Sequence, residues 1–143
     1  MTIDELRSYI PNKLKIIAID AEIEASYMTV SSPVPSPVVA GKSNVRPVGD
    51  PTASAFSRAE ELRQQKAHLI HRQERIEQWV DSITDLTVSA IIQLHFLSGR
   101  TWKQTAVQLY GYRYADGDAC RMAVKRYLEK ESCSVCSEEN NYY

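Results

Sequence analysis

Basic side chains near the C-terminal end of the chain are spaced for recognition of an anion by a helix. Arg121 and Lys125 stand four positions apart, so a helix projects both from one face, and Arg126 follows directly. On an exposed helix, guanidinium and ammonium groups pair with guanine O6 and N7 or with phosphate oxygens in the major groove of DNA. The spacing therefore predicts nucleic-acid chemistry here, provided that the chain folds into a helix with this face outward.

The charge balance of the whole chain neither requires nor forbids a nucleic-acid partner. The 143 residues include 17 basic and 18 acidic side chains, for a formal net charge of −1 at pH 7. Residues 84–130 contain seven basic and four acidic side chains, which gives this segment a net charge of +3. Because phosphate contacts need only local positive charge, the composition permits a DNA-binding surface in this segment.

The cysteine and histidine residues do not have the spacing of a metal site. Cys133 and Cys136 form a C-x-x-C pair, but His68, His71 and His95 lie far upstream. A structural zinc site needs four ligands, so we expect no metal and no other cofactor. Three cysteines also give no disulfide framework, and Cys120 fits a position in a helix core.

The chain lacks the sequence patterns that accompany common catalytic chemistry. It has five glycines and no P-loop, no glycine-rich dinucleotide turn, no His/Glu metal spacing and no evident nucleophile–base pair. We therefore expect a non-enzyme, and we interpret His95 as a partly buried packing residue. No apolar run approaches the 18 or so residues of a membrane span, and the N-terminus lacks signal-peptide features. A cytoplasmic protein without a membrane partner is expected.

The first 83 residues are predicted to form a helical extension. A first helix should cover about residues 3–28, with Thr2 and Glu5 as a capping box, and Pro11 should kink or restart it near Asn12. Apolar residues at intervals of three and four predict one inward face. These are Ile3, Leu6, Ile10, Leu14, Ile17, Ala21 and Met28.

A proline-rich linker at residues 29–51 should connect this helix to a second one, which begins near Pro51 or Thr52 and ends near Ile83. The second helix repeats an apolar residue every seven positions, with Ala59 and Val80 at companion positions. The repeated residues are Ala55, Leu62, Leu69, Ile76 and Ile83. This narrow stripe suits antiparallel packing against the first helix, with or without a second subunit.

Three shorter helices are predicted in residues 84–131. The first should span residues 86–97, with Thr84 or Asp85 as N-cap and Gly99 at its end. The second should span residues 102–110, between a Thr101 cap and Gly111. The third should run from near Asp118 to about Glu131, and its inward face should consist of Cys120, Val124, Tyr127 and Leu128. Residues 132–143 are expected to be a polar tail, disordered or loosely attached.

The fold class expected from these elements is all-α: a long N-terminal antiparallel helix pair followed by a three-helix helix-turn-helix domain. The stretch LTVSAIIQLHFLSGRTWKQTAVQLYGYRYADGDACRMAVKRYLEK resembles region four of sigma factors. In particular it resembles the sigma-like helix-turn-helix of phage late-transcription regulators of the RinA and ArpU type. The features that carry the resemblance are the Ile-Ile-x-Leu-His-Phe helix, Gly99 with Thr101 and Trp102, Ala106, and the ending Arg-x-x-x-x-Arg-Tyr-Leu-Glu-Lys.

This resemblance covers about one third of the chain and implies a DNA-binding transcription regulator of phage or prophage type in a bacterial host cell. Double-stranded DNA is the implied partner; RNA polymerase and a second copy of the chain are further partners that we consider. The turn Tyr-Arg-Tyr-Ala-Asp-Gly is longer than in the family and lacks the usual Ser or Thr cap. The residues expected to contact DNA are Arg100, Lys103, Arg113, Asp118, Arg121, Met122, Lys125 and Arg126.

Two other functions fit the same pattern of helices. Small terminase subunits of phages also combine a helix-turn-helix with long helices, but they assemble into rings for DNA packaging. Alternatively, the long helices bind a protein partner and the small domain only caps them. The mass in solution distinguishes a regulator, which is a monomer or dimer, from a packaging ring of eight or more subunits. A protein with no DNA affinity at low salt would have the third function, binding of a protein partner.

Overall fold

The computed structural model describes residues 1–31 and 51–138, with side chains described for residues 1–28 and 53–134. All regular structure in these two ranges is helical, so the all-α prediction is confirmed for them. In chain order the helices are α1 (Ile3–Arg7), α2 (Tyr9–Ser31), α3 (Pro51–Ser82), α4 (Leu86–Ile92), α5 (Trp102–Tyr110) and α6 (Gly117–Glu138). The greater part of the predicted proline-rich linker, residues 32–50, lies outside the described residues.

The N-terminal capping box forms as predicted, but the helix break lies upstream of its predicted place. The Thr2 hydroxyl accepts the Glu5 N–H at 3.2 Å, and the Glu5 carboxylate accepts the Thr2 N–H at 2.8 Å. The two helices are separated at Ser8, whose backbone stays in the right-handed helical region, whereas Pro11 lies within the first turn of α2. Proline lacks an N–H and its ring clashes with the carbonyl four residues earlier, so the preceding helix ends at Arg7 and a new one starts.

By its internal contacts the chain divides into two units, and the division falls within α2 and α3. The first unit comprises residues 1–13 and 72–143. Its core joins Leu6 of α1 and Val80 of α3 to Ile91 and Ile92 of α4 and to Val124 of α6. Helix α6 packs against both α4 and α5. Burial of these aliphatic side chains, each worth about 1.5–3 kcal/mol, fixes which side of α6 remains outside.

Polar contacts also join α1 and the start of α2 to α3 within this unit. The hydroxyl of Tyr9 donates a hydrogen bond to the Glu77 carboxylate, and burial together with that carboxylate raises the pKa of Tyr9 to about 12. Arg75 lies 3.0 Å from Glu5, the same residue that caps α1. These contacts link residues that are some 70 positions apart in the sequence.

The second unit, residues 14–71, contains helical segments of α2 and α3. Ile19 is buried with Leu62 and Leu69, and Ile16 and Ile23 pack against them. Two ion pairs join the segments. The Lys66 ammonium lies 2.5 Å from the Asp20 carboxylate, and the Arg58 guanidinium lies 2.9 Å from the Glu22 carboxylate. The heptad prediction for α3 is therefore confirmed at Leu62 and Leu69.

The predicted inward face of the first helix is wrong in this unit. Leu14 and Ile17 are 62% and 59% exposed, and Met28 is 71% exposed. Ile16, Ile19 and Ile23 face the core in their place. Because this part of α2 is apolar on two faces, periodicity alone could not decide which face packs against α3.

The two ends of α4 are closed by specific backbone geometry. Of the two predicted caps, Asp85 is the one used, since its carboxylate accepts the N–H groups of Thr87 and Val88 at 3.0 and 3.2 Å. The helix continues as a π-helical turn, Gln93–Leu97. Gly99, with φ of 72°, then ends it as predicted, and the Arg100 N–H donates to the Leu94 carbonyl.

Helix α6 extends beyond its predicted end. It begins at Gly117 and continues to Glu138, past the expected stop near Glu131. The segment expected to be a loosely ordered tail is thus helical up to that residue, and residues 139–143 lie outside the described part of the chain. Nothing after Glu131 in the sequence is a glycine or a proline, so no residue type there forces the helix to end.

Candidate nucleic-acid interface

Helix α5 is held at both ends by the residues expected to cap it. The Thr101 hydroxyl accepts the Gln104 N–H at 3.2 Å, and the Gln104 side chain accepts the Thr101 N–H at 3.0 Å. This reciprocal pair satisfies two backbone donors that the helix leaves unpaired. At the other end Gly111 has φ of 76° and ψ of 167°, a conformation available essentially only to glycine. Helix α5 therefore has the bounds predicted for it.

The turn between α5 and α6 supplies a helix cap that sequence reasoning did not identify. The Asp116 carboxylate accepts the N–H of Asp118 at 3.0 Å and the N–H of Ala119 at 3.4 Å. Aspartate replaces the Ser or Thr expected from the resemblance, because its short acceptor reaches the same backbone donors. The aromatic residues of the longer turn face outward: Tyr112 is 92% exposed and Tyr114 is 74% exposed.

Gly117 allows the first turns of α5 and α6 to approach closely. A Cβ atom at this position would lie 3.1 Å from the Lys103 nitrogen and from the Trp102 carbonyl carbon. Such contacts are tighter than ordinary van der Waals packing, so any larger residue would push the backbones apart. The start of α6 is thus seated directly on the start of α5.

The outward side of α6 carries basic residues, and the opposite side lies in the core. Cys120 and Val124 are buried, and Tyr127 and Leu128 pack beside them, so the predicted inward face is correct. We use the name basic face for four exposed residues of α6: Arg121, Met122, Lys125 and Arg126. Core and basic positions alternate from Cys120 to Leu128, so α6 has one side fixed in the core and one exposed, basic side.

Two of these cations have acidic neighbours on the same helix. The Arg121 guanidinium lies 3.2 Å from the Asp118 carboxylate, and the Lys125 ammonium lies 3.9 Å from Glu129. All four side chains are more than half exposed. Exposed ion pairs of this kind contribute about 0–1 kcal/mol, so a phosphate or a base edge can replace the carboxylate at little cost.

The other predicted site residues lie on three separate segments. Arg100 follows the Gly99 turn, Lys103 lies in the first turn of α5, and Arg113 lies in the turn before α6. Together with Asp118 and the basic face, all eight predicted positions are exposed. Among these eight residues, Asp118 and Arg121 are in close contact.

Arg7 is a neighbour of this surface that sequence reasoning missed. It lines a groove with His95, Arg100 and Thr101, at the entrance to α5. More than 90 positions separate Arg7 from Arg100, so only the packing of α1 into the core brings them near. No motif or periodicity in the sequence signals this neighbour.

His95 has the packing role expected of it. Its ring stacks on Trp102, with the centroids 3.6 Å apart, and its Nδ1 donates to the Arg100 carbonyl at 2.7 Å. Partial burial lowers the pKa of His95 from its ordinary value, and the positive charge of Arg7 acts in the same direction. The neutral ring thus links the end of α4 to the start of α5.

The described residues contain no group of three or more His, Cys, Asp and Glu side chains that could hold a metal ion. Within the same ranges, no helix is long and apolar enough to cross a membrane. Cys133 is exposed on α6, and the Cys136 side chain is outside the described part. Comparisons of the chain with protein-family models, with curated proteins and with solved structures gave no match.

Proposed function

We propose that residues 84–131 are a helix-turn-helix DNA-binding domain, and that the chain is a transcription regulator of phage or prophage type. Helix α5 is the first helix of the motif and α6 is the recognition helix. The observation that carries the proposal is the position of the basic face on a helix whose other side is fixed in the core. The seating of α6 on α5 at Gly117 gives this helix a defined support.

The arrangement fits the way in which helix-turn-helix proteins meet DNA. A recognition helix lies in the major groove with its N-terminal residues near the base edges. Arg121 lies in the second turn of α6 and is placed for a base, whereas Lys125 and Arg126 lie further along and suit phosphates. Arg100, Lys103 and Arg113 border the motif, where phosphate contacts fix its position without reading sequence.

Residues 1–83 complete the proposed architecture as a helical extension in which α2 and α3 pair in antiparallel fashion. The ion pairs support this direction, since Asp20 meets Lys66 while Glu22, further along α2, meets Arg58, further back in α3. An extension of this kind offers a surface for a second subunit or for RNA polymerase.

DNA binding by the basic face is tested with the double variant Lys125→Ala/Arg126→Ala and a random-sequence duplex of about 20 base pairs. Loss of two phosphate contacts should weaken binding about tenfold or more in low salt, measured by fluorescence anisotropy. Arg72→Ala is the control, because Arg72 is an exposed cation of α3 and lies outside residues 84–131. Equal affinities for the double variant, the control and the wild type would contradict the proposed interface.

A packaging role is the second candidate, favoured by the exposed apolar residues Leu14 and Ile17 in the unit of residues 14–71. Exposed apolar side chains on a helix are a common means of self-association. Sedimentation of the full chain separates the candidates. A monomer or dimer supports the regulator, and a ring of eight or more subunits supports a small terminase.

A further inference from the structure

Helix α2 presents an apolar surface on the side opposite its buried residues. We use the name outer stripe for Leu14, Ile17, Ala18 and Ala21, all of them exposed. Leu14 and Ala21 are seven positions apart with Ala18 between them, the spacing of a coiled-coil seam. The inward side of the same segment is already occupied by packing against Leu62 and Leu69.

The residue sizes along the outer stripe suit a second helix. A helix that is apolar on two faces normally lies between two neighbours and not at a surface. Ala18 and Ala21 leave room for close approach of another backbone, at about 8–10 Å between axes. Leu14 and Ile17 are the large side chains that such a partner would cover.

The charges beside the outer stripe are complementary to those of a second copy in reverse orientation. Lys15 and Glu22 lie seven positions apart, so both fall on one edge of the stripe. A two-fold axis between residues 18 and 19 places Lys15 of each copy level with Glu22 of the other. The same axis leaves Ile17 of each copy within one residue of level with the small Ala21 of the other. In a parallel, in-register pair each Lys15 would instead lie level with the Lys15 of the other copy.

We propose that the outer stripe is an antiparallel, two-fold interface between two copies of this chain. Glu22 is suited to bridge the interface, since its side chain is 49% exposed and lies 2.9 Å from Arg58 of its own chain. The interface does not depend on DNA binding. A two-fold contact uses the same surface on both copies and therefore closes as a dimer, not as a ring.

The mass of the full chain tests the interface directly. About two turns of helix bury less than the roughly 800 Å² per partner of a standard interface, so sedimentation velocity should cover about 5–200 µM. The dimer should dominate at the upper end. Ile17→Lys should weaken it at least tenfold, whereas Leu86→Lys, at an apolar position of α4 that is 82% exposed, should leave it unchanged. Circular dichroism checks that each variant keeps its helices.

Charge exchange tests the antiparallel direction. Lys15→Glu and Glu22→Lys should each weaken the dimer, because each places like charges level across the axis. An equimolar mixture of the two variants should recover a dimer of one chain of each kind, since both level pairs then have opposite signs. A monomeric wild type at the highest concentration, a closed ring, or a mixture that stays monomeric would overturn the proposal. If Glu22→Lys unfolds through loss of the Arg58 pair, retention of the dimer by Ile17→Lys or by Lys15→Glu would overturn it.

Discussion

Arg121 and Lys125 lie one helical turn apart on α6. Each is exposed and lies beside an acidic residue of the same helix. The two residues differ in their distance from the N-terminus of the helix. In a helix-turn-helix the N-terminal part of the recognition helix faces the base edges, and residues further along more often meet phosphates. The proposed interface therefore assigns sequence reading to Arg121 and general affinity to Lys125.

Arg121→Ala should relax sequence preference and cost about 1–3 kcal/mol at one base pair. Lys125→Ala should weaken a selected site and random DNA by about the same factor. The affinity of each variant for both duplexes provides the measurement.

Both variants should stay folded, because neither side chain contributes to the core. An equal loss on both duplexes for Arg121→Ala would remove its base-reading role. Unfolding of that variant would mean that the outward face of α6 is wrongly assigned.

His95 makes the stability of the first unit sensitive to mild acid. Its pKa is lowered from the ordinary value of 6.5, chiefly by partial burial, so the folded protein binds this proton less readily than the unfolded chain. The contribution of neutral His95 to the free energy of unfolding is therefore fully present above about pH 6.5. It is lost as the pH drops through the lower pKa of the folded state. Glu5 also has a lowered pKa, but from 4.5, so its contribution is lost at more acid pH.

We expect the melting temperature of the wild type to fall between pH 7 and pH 5, and that of His95→Gln to fall less. Glutamine lacks the proton equilibrium but keeps a side-chain N–H donor that can reach the Arg100 carbonyl. Thermal melts at a series of pH values test this difference. Parallel pH profiles for the two proteins would show that His95 does not carry the effect.

Among the helices, the positions of the ends were predicted best where a nearby side chain or a glycine determines them. Thr2, Thr101 and Gly99 act as the sequence indicates, because each effect depends on backbone groups only a few residues away. The faces of α2 were not predictable in the same way. Its outer and inner sides are both apolar, and only the contact with α3 decides between them.

In the candidate site, too, the sequence predicts features that nearby residues fix and does not predict features that depend on tertiary packing. Exposure of the basic face followed from the spacing of Cys120 and Val124, whose burial defines the opposite side. The Asp116 cap was missed, although Asp is a common N-cap residue and gave a usable signal. The sequence gave no signal for Arg7, because its approach to Arg100 depends on the tertiary packing of residues more than 90 positions apart.

Gly117→Ala should separate the first turns of α5 and α6. The new methyl group would crowd the backbone of Trp102 and Lys103 at 3.1 Å. Overpacking of this kind costs about 1–3 kcal/mol, more than the 0.5–1 kcal/mol that alanine gains over glycine in a helix. We expect a lower melting temperature and weaker DNA binding.

Ala119→Ser is the control for this prediction, because it adds one atom at an exposed position of the same helical turn. Its melting temperature should stay close to that of the wild type. A Gly117→Ala protein that is more stable than the wild type, with unchanged DNA affinity, would show that close seating of the two helices is not required.

For the whole molecule, the proposed dimer determines the symmetry of the DNA site. If both recognition helices of such a dimer bind one duplex, the two-fold axis relates them in opposite directions, and the preferred site should contain two inverted half-sites. Selection from a random duplex library tests this expectation. Wild-type protein should enrich inverted repeats, whereas Ile17→Lys should enrich single half-sites. Enrichment of single sites or direct repeats by the dimeric wild type would contradict the two-fold arrangement.

The salt dependence of DNA binding tests the proposed function most directly. The cations expected to meet phosphates are Arg100, Lys103, Arg113, Lys125 and Arg126. Four to six phosphate contacts give a slope of about −4 to −5 per subunit in a plot of log affinity against log salt, at roughly 0.9 per contact. Anisotropy titrations of a random duplex between low and moderate salt supply this slope. A slope near the predicted value supports a DNA-binding basic face, and a flat response would contradict it.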